Sequence, residues 1–146
     1  MKLVEANVLL YAVDESAPHH AVAKPWLERQ LSGVETFGFA WAVLLAFVRL
    51  TTNPRVFAAP LTAEEALDLV DEWFDAPNTT VVHPTDRHSA LLRELLSSLG
   101  TAANLTSDAH LAALSIEHGA ELSSGDSDFA RFPRVRWLNP LRRSSS

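Results

Sequence analysis

Four carboxylates stand where a folded chain could gather them into one cation site. Glu5 closes a short apolar run, Asp108 opens a helix-like segment, and Asp126 and Asp128 follow directly on a second apolar run. If the ends of those segments share one sheet edge, acids far apart in sequence converge. Hard divalent cations such as Mg²⁺ and Mn²⁺ take carboxylate and water oxygens and retain several waters. A cation held this way can bind a phosphodiester, lower the pKa of an attacking water and stabilise the charge that develops. Clustered acids also repel, so one is expected to keep its proton when the metal is absent. Singly, each acid has a plainer reading. A helix-initial Asp complements the helix dipole, and Asp residues in Ser-Gly-Asp-Ser-Asp are turn formers. Glu5 has the least ordinary setting, because an unpaired carboxylate on a buried strand is costly.

The elements that must position these acids follow from pattern. Lys2 to Glu5 reads as a buried strand, and Asn7 opens a helical turn or two over Val8–Val13. Pro18 suits the first position of a helix running to about Leu31. Residues 34–39 suit a strand, and Ala40–Thr51 an apolar helix stopped by Asn53-Pro54. Thr62-Ala63-Glu64-Glu65 is a capping box ahead of Ala66, Leu67, Leu69, Val70 and Trp73. Thr79–His83 reads as a strand, then Thr85-Asp86 caps a helix ending at Gly100. Thr106 or Ser107 caps a helix over 108–118 that Gly119 terminates. Ala120–Ser124 is a strand, 125–129 a turn, and Val135–Leu138 a last strand. Alternation of this kind predicts an α/β fold, a parallel sheet covered on both faces by helices. In such folds ligands gather outside the carboxyl ends of the strands.

Bulk properties bound the function. The 146 residues suit a single domain, expected over 1–142 with a polar tail at 143–146. Cysteine is absent, which excludes disulfides and thiolate metal sites and permits a reducing cytoplasm, the expected location. The apolar start is broken by Glu5 and Asn7 and reads as a strand entering a helix, not a signal peptide or a membrane span. Two Asn-x-Thr sequons, at Asn78 and Asn104, read as chance in such a chain. A net charge of −6 argues against a broad basic face for nucleic acid, yet allows local phosphate contacts. Arg131, Arg134, Arg136, Arg142 and Arg143 crowd the end of the chain, as an RNA or partner surface or as a charged strand edge. The acids of 64–75 read as a solvated helix face, or as a site for a basic partner segment. None of the six histidines has an H-x-x-x-H partner with a third zinc ligand, and His110, two residues after Asp108, reads as packed or solvated, with a place facing the site as the alternative. No nucleophile elbow, P-loop or dinucleotide fingerprint occurs. The tryptophans Trp26, Trp41, Trp73 and Trp137 read as core or interface anchors.

With these residues in view, the chain resembles the PIN-domain toxins of the VapC type. Val4-Glu5-Ala6-Asn7-Val8-Leu9-Leu10-Tyr11-Ala12 is similar to the family opening, Asp-x-Asn-x-Leu. Asn104 to Leu114, with Asp108 within it, resembles the third family motif, and Ser124-Gly125-Asp126-Ser127-Asp128-Phe129 the closing one. Trp41–Arg49 and Arg136–Leu141 look like one subgroup of these toxins, so the likeness runs through nearly the whole chain. It implies a PIN-like three-layer fold and an Mg²⁺- or Mn²⁺-dependent RNA endonuclease, the toxin half of a type II toxin–antitoxin system. It further implies an antitoxin whose tail occupies the active-site groove, and a homodimer. By resemblance, Glu5, Asp108 and Asp126 bind metal, Asp128 joins them in catalysis, and Asn7 and Ser124 orient the carboxylates.

Two departures shape the expectation. The family carries Asp where this chain has Glu5, and the extra methylene moves the carboxylate roughly 1.5 Å outward. Misplacement of about 1 Å can cost a hundredfold in rate, so attenuated turnover is expected. Many family members also carry a Glu where this chain reads Ala46-Phe47-Val48-Arg49, with Arg49 as a phosphate contact or simply a polar helix end. Both departures keep open a competing reading, a non-catalytic PIN-like protein that binds RNA or sequesters an antitoxin. A third, a phosphoryl-transfer or receiver-like domain, lacks a suitably placed lysine, since only Lys2 and Lys24 exist.

Overall fold

The computed structural model describes residues 1–100 and 105–142. Five strands, β1 Lys2–Val4, β2 Phe37–Phe39, β3 Thr79–Val81, β4 Glu121–Ser123 and β5 Arg136–Leu138, form one sheet in the order β3-β2-β1-β4-β5. Every pairing is parallel. Six helices join them: α1 Ala6–Val13, α2 His20–Leu31, α3 Trp41–Thr51, α4 Ala63–Phe74, α5 His88–Ser97 and α6 Thr106–Glu117. A short 3₁₀ helix, Ser127–Arg131, lies between β4 and β5. From β1 the chain steps outward to β2 and β3, then crosses back to β4 on the other side of β1. Right-handed crossovers therefore place α1–α4 on one face and α5–α6 on the other. Packing follows that division, with α1 against α2 and α3, α3 against α4, and α5 against α6. None of the described helices is long and apolar enough to cross a membrane.

The sheet centre is dry. In β2, Phe37, Gly38 and Phe39 are all buried. Phe39 stacks on Trp73 at 5.9 Å, and Phe47 packs on the same indole at 4.8 Å. Gly38 is a packing requirement of this layer. A Cβ there would lie 2.6 Å from both Leu3 Cδ2 and Val82 Cγ2, and both side chains are buried. Gly38→Ala is expected to destabilise the protein by about 1–3 kcal/mol through overpacking. A urea midpoint that falls with an unchanged slope would show it.

Several boundaries differ from the sequence expectation, each for a local reason. The helix expected from Pro18 begins at His20, because Pro18 instead sits in a turn closed by His20 N–H donating to Ala17 O at 3.0 Å. Pro25 lies inside that helix, removing only the hydrogen bond to Ala21, an exposed residue. The helix expected from Thr85-Asp86 begins at His88, since Thr85 Oγ1 donates to Glu117 instead. The capping box forms as read. Glu65 N–H donates to Thr62 Oγ1 at 3.1 Å and Thr62 N–H donates to Glu65 Oε1 at 3.0 Å, worth about 1 kcal/mol. Gly119, at φ +59°, supplies the left-handed turn that ends α6. Asn78 uses its side-chain amide within the fold, donating to Gln30 O and Glu35 O. Asn104, Arg143 and the tail at 143–146 lie outside the described residues.

Candidate metal centre and its cavity

The strand order reverses between β1 and β4, and the crevice beyond the carboxyl ends of such a pair is where open α/β sheets collect ligands. Val4 pairs with Ser123, so the next residues, Glu5 and Ser124, emerge side by side at that point. Glu5 is the residue capping α1, and its N–H donates to Ser123 O at 2.9 Å. Ser124 Oγ donates to Glu5 Oε2 at 2.6 Å and accepts from Asp126 N–H at 2.9 Å. Asp126 caps the 3₁₀ helix by accepting from Asp128 N–H at 2.9 Å. Asp108 arrives from the opposite face of the sheet, in the first turn of α6. One carboxylate oxygen from each of Glu5, Asp108 and Asp126 lies within 4.8 Å of the other two.

The remaining candidates sit around this triplet. Asp128 is outside it and faces Arg131 Nε at 3.8 Å, both side chains largely exposed. Asn7 Oδ1 accepts from Gly125 N–H at 3.3 Å and fixes the loop after β4. Trp137 Nε1 donates to Ser124 O at 2.9 Å from β5, so the indole steadies the same loop from outside. Arg49, in the last turn of α3, faces the cavity and has no ion-pair partner among the described residues.

Electrostatics mark the triplet as incomplete. Burial pushes the Glu5 carboxyl from 4.5 up to about 7, against the pull of the Ser124 hydroxyl, and the charges of Asp108 and Asp126 add to the rise. Burial, then Asp126 and Asp128, push Asp108 from 3.8 to about 6. Three clustered acids, two of them reluctant to ionise, form the donor set and charge deficit that a hard divalent cation relieves. The residues present fit such an ion.

A cavity of about 460 Å³ opens beside the acids. Its polar groups include Glu5, Asn7, Arg49, Asp108 and His110, while Leu10, Val43, Ala46, Leu50 and Leu111 make an apolar wall. On this side α3 offers Ala46 and Arg49 to the space. His110 lines this cavity, the less favoured of its two sequence readings. Its Nδ1 lies 2.8 Å from His88 Nε2, and His88 Nδ1 lies 2.7 Å from Glu117 Oε2. Burial, with His88 beside it, holds the His110 imidazole below its usual pKa, although Glu117 pulls the other way. Helical spacing puts His110 and Glu117 two turns apart on α6, but the link between them runs through His88 on α5.

The basic chain end is largely engaged. Arg134 pairs with Glu94 at 3.0 Å, Arg136 donates to Gly119 O, and Arg142 lies 5.7 Å over the Trp137 ring. Of the tryptophans, Trp26 and Trp73 are buried, Trp137 is partly buried, and Trp41 is exposed on α3.

A family model for the PIN domain matches residues 2–135. Ribonuclease VapC37 of Mycobacterium tuberculosis is 51% identical over 140 residues, covering 96% of this chain and 97% of its own. Ribonuclease VapC33 of the same species is 41% identical, covering 97% and 99%. Two solved structures share the fold at low identity. VapBC2 from Rickettsia felis, bound to a DNA fragment from their promoter, gives a TM-score of 0.69 at 16% identity, over 94% of this chain and 97% of that one. VapBC-1 from nontypeable Haemophilus influenzae gives 0.67 at 12%, over 97% and 98%. With the parallel β3-β2-β1-β4-β5 sheet and the family model matched from β1 almost to β5, the chain belongs to the PIN-domain family, in its VapC ribonuclease group.

Proposed function

We propose that this chain is the toxin of a type II toxin–antitoxin pair, an Mg²⁺- or Mn²⁺-dependent endoribonuclease acting in the cytoplasm. The observation carrying this reading is the meeting of Glu5, Asp108 and Asp126 at the strand-order switch, beside a cavity that also holds an unpaired Arg49. Those three acids would hold the cation, which supplies Lewis-acid stabilisation of phosphate charge. Ser124 fixes the Glu5 carboxylate and the Asp126 backbone together, and Asn7 fixes the loop between them. Asp128, at the margin, adds negative charge and contributes to catalysis from outside the ligand set. Arg49 neutralises a phosphate of the RNA. Water attacks phosphorus, the P–O bond to the leaving ribose oxygen breaks, and that oxygen takes up a proton. The same cavity receives the tail of an antitoxin, and the toxin acts as a homodimer.

Glu5 attenuates this enzyme. Glu5→Asp is expected to raise metal-stimulated cleavage about tenfold to a hundredfold, because the shorter arm restores the family's carboxylate position. Titrating Mn²⁺ into an RNA cleavage assay with both forms decides the matter, and equal rates would dispose of attenuation. The competing reading is a non-catalytic PIN-like protein that binds RNA or an antitoxin. Glu5 and the acid-free stretch at 46–49 favour it. Tight antitoxin or RNA binding with no cleavage by Glu5→Asp, in any divalent cation, would establish it and overturn the enzyme.

A further inference from the structure

Ser124 is fully buried, and each of its polar groups is engaged. Its hydroxyl joins Glu5 Oε2 at 2.6 Å to Asp126 N–H at 2.9 Å, so its position sets the spacing of two of the three acids. Its backbone is held from β5. Ser124 N–H donates to Leu138 O at 3.0 Å, which continues the parallel β4–β5 ladder one residue past Ser123. In that register the N–H that would reach Ser124 O belongs to residue 140. Residue 140 is proline and has no N–H. The Trp137 indole supplies the donor instead, from Nε1 to Ser124 O at 2.9 Å. An indole nitrogen only donates, so this bond has one direction at any pH. Asn139 Oδ1 accepts from Leu141 N–H at 2.9 Å and turns Leu141 back on the loop, where a Cβ on Gly125 would meet Leu141 Cδ1 at 2.7 Å.

We propose that Trp137 is a positioning residue of the metal centre. Its indole N–H replaces the ladder donor that Pro140 lacks, and so holds Ser124, with the Glu5 and Asp126 groups bonded to it, at the spacing a divalent cation requires. The inference rests on the metal-dependent reading above. Without the indole a buried carbonyl loses its donor, and only a shift of Ser124 relieves the cost. Partners that orient ligands commonly carry about tenfold to a hundredfold in metal affinity. Trp137 acts one bond further out, through Ser124, so a smaller share is expected.

The test measures the Mn²⁺ dissociation constant of the metal-stripped protein by calorimetry, with no RNA present. Trp137→Phe keeps a ring and removes the N–H, and is expected to weaken Mn²⁺ binding about threefold to tenfold. Adding Pro140→Ala to it returns an N–H to the ladder and should recover most of that loss. Thr62→Ala, which removes the α4 capping box, should melt lower yet bind Mn²⁺ as the unaltered protein does. An unchanged constant in Trp137→Phe, no recovery in the double variant, or equal weakening in Thr62→Ala overturns the proposal. If the unaltered protein binds neither Mn²⁺ nor Mg²⁺, the functional reading fails instead. The hold on Ser124 is then decided by hydrogen exchange at the Asp126 amide, which donates to Ser124 Oγ. Trp137→Phe should speed that exchange about tenfold, and an unchanged rate overturns the proposal.

Discussion

Glu5→Gln is expected to melt about 6–12 °C higher than the unaltered protein at pH 8 without metal, while losing its response to added cation. The sign follows from the raised pKa. Folding lifts the Glu5 carboxyl from 4.5 to about 7, so the native state holds this proton more tightly than the unfolded chain does. The stability it contributes is fully present below about pH 4.5 and is lost as pH rises through about 7. At about 1.4 kcal/mol per pKa unit, the ionised side chain costs about 3 kcal/mol at pH 8. Gln removes that charge and keeps an oxygen for the Ser124 hydroxyl. For a chain of this size each kcal/mol moves the melting temperature by about 2–4 °C. At pH 5 the two proteins should differ little. Divalent cation at a hundred times its dissociation constant should add about 2.7 kcal/mol to the unaltered protein and little to the variant, nearly closing the gap between them. Calorimetric melts at both pH values, with EDTA or Mn²⁺, check all of this. A variant that melts lower at pH 8 in EDTA would show that the native site had already neutralised Glu5.

The second large effect is on turnover. Asp108→Asn should lower metal-stimulated RNA cleavage by about a thousandfold. Asp108 is the acid that α6 carries across from the other side of the sheet, so its loss leaves only the β1 and β4 ends to hold the ion. Losing several kcal/mol of charge stabilisation on the scissile phosphate corresponds to that factor. Single-turnover cleavage at saturating Mn²⁺ isolates the effect from RNA affinity. Retention of more than a tenth of the rate would remove Asp108 from the ligand set.

Much of the geometry was legible because it is local. A strand of three or four apolar residues ending in an acid, a helix opening on Asp108, and a turn rich in Asp each declare themselves within a few positions. The parallel alternation then implies that their ends share one edge. What sequence could not supply was rotation and distance. By residue type alone Asp126 and Asp128, two residues apart, are alike, and only the family resemblance assigns the metal to Asp126 with Asp128 beside it. A 3₁₀ helix advances about 120° per residue, and Asp128 accordingly leaves the triplet and faces Arg131. The Glu117–His88–His110 chain joins α5 to α6 across 29 positions between Glu117 and His88, and no local pattern encodes that meeting. Thr85, an apparent helix cap, belongs to it for the same reason.

The pairing of β1 with β4 also sets when the acids can first meet during synthesis. Glu5 leaves the ribosome well before its Ser124 partner, which follows 119 positions later. At roughly 5–20 residues per second, that separation is about 6–24 s of translation. Throughout that interval β1 lacks its β4 neighbour, and the nascent polypeptide carries Glu5 without Asp126. A message cut or stalled before the β4 codons therefore releases a product with no assembled acidic triplet, and the cell that makes it is spared whatever the finished chain does.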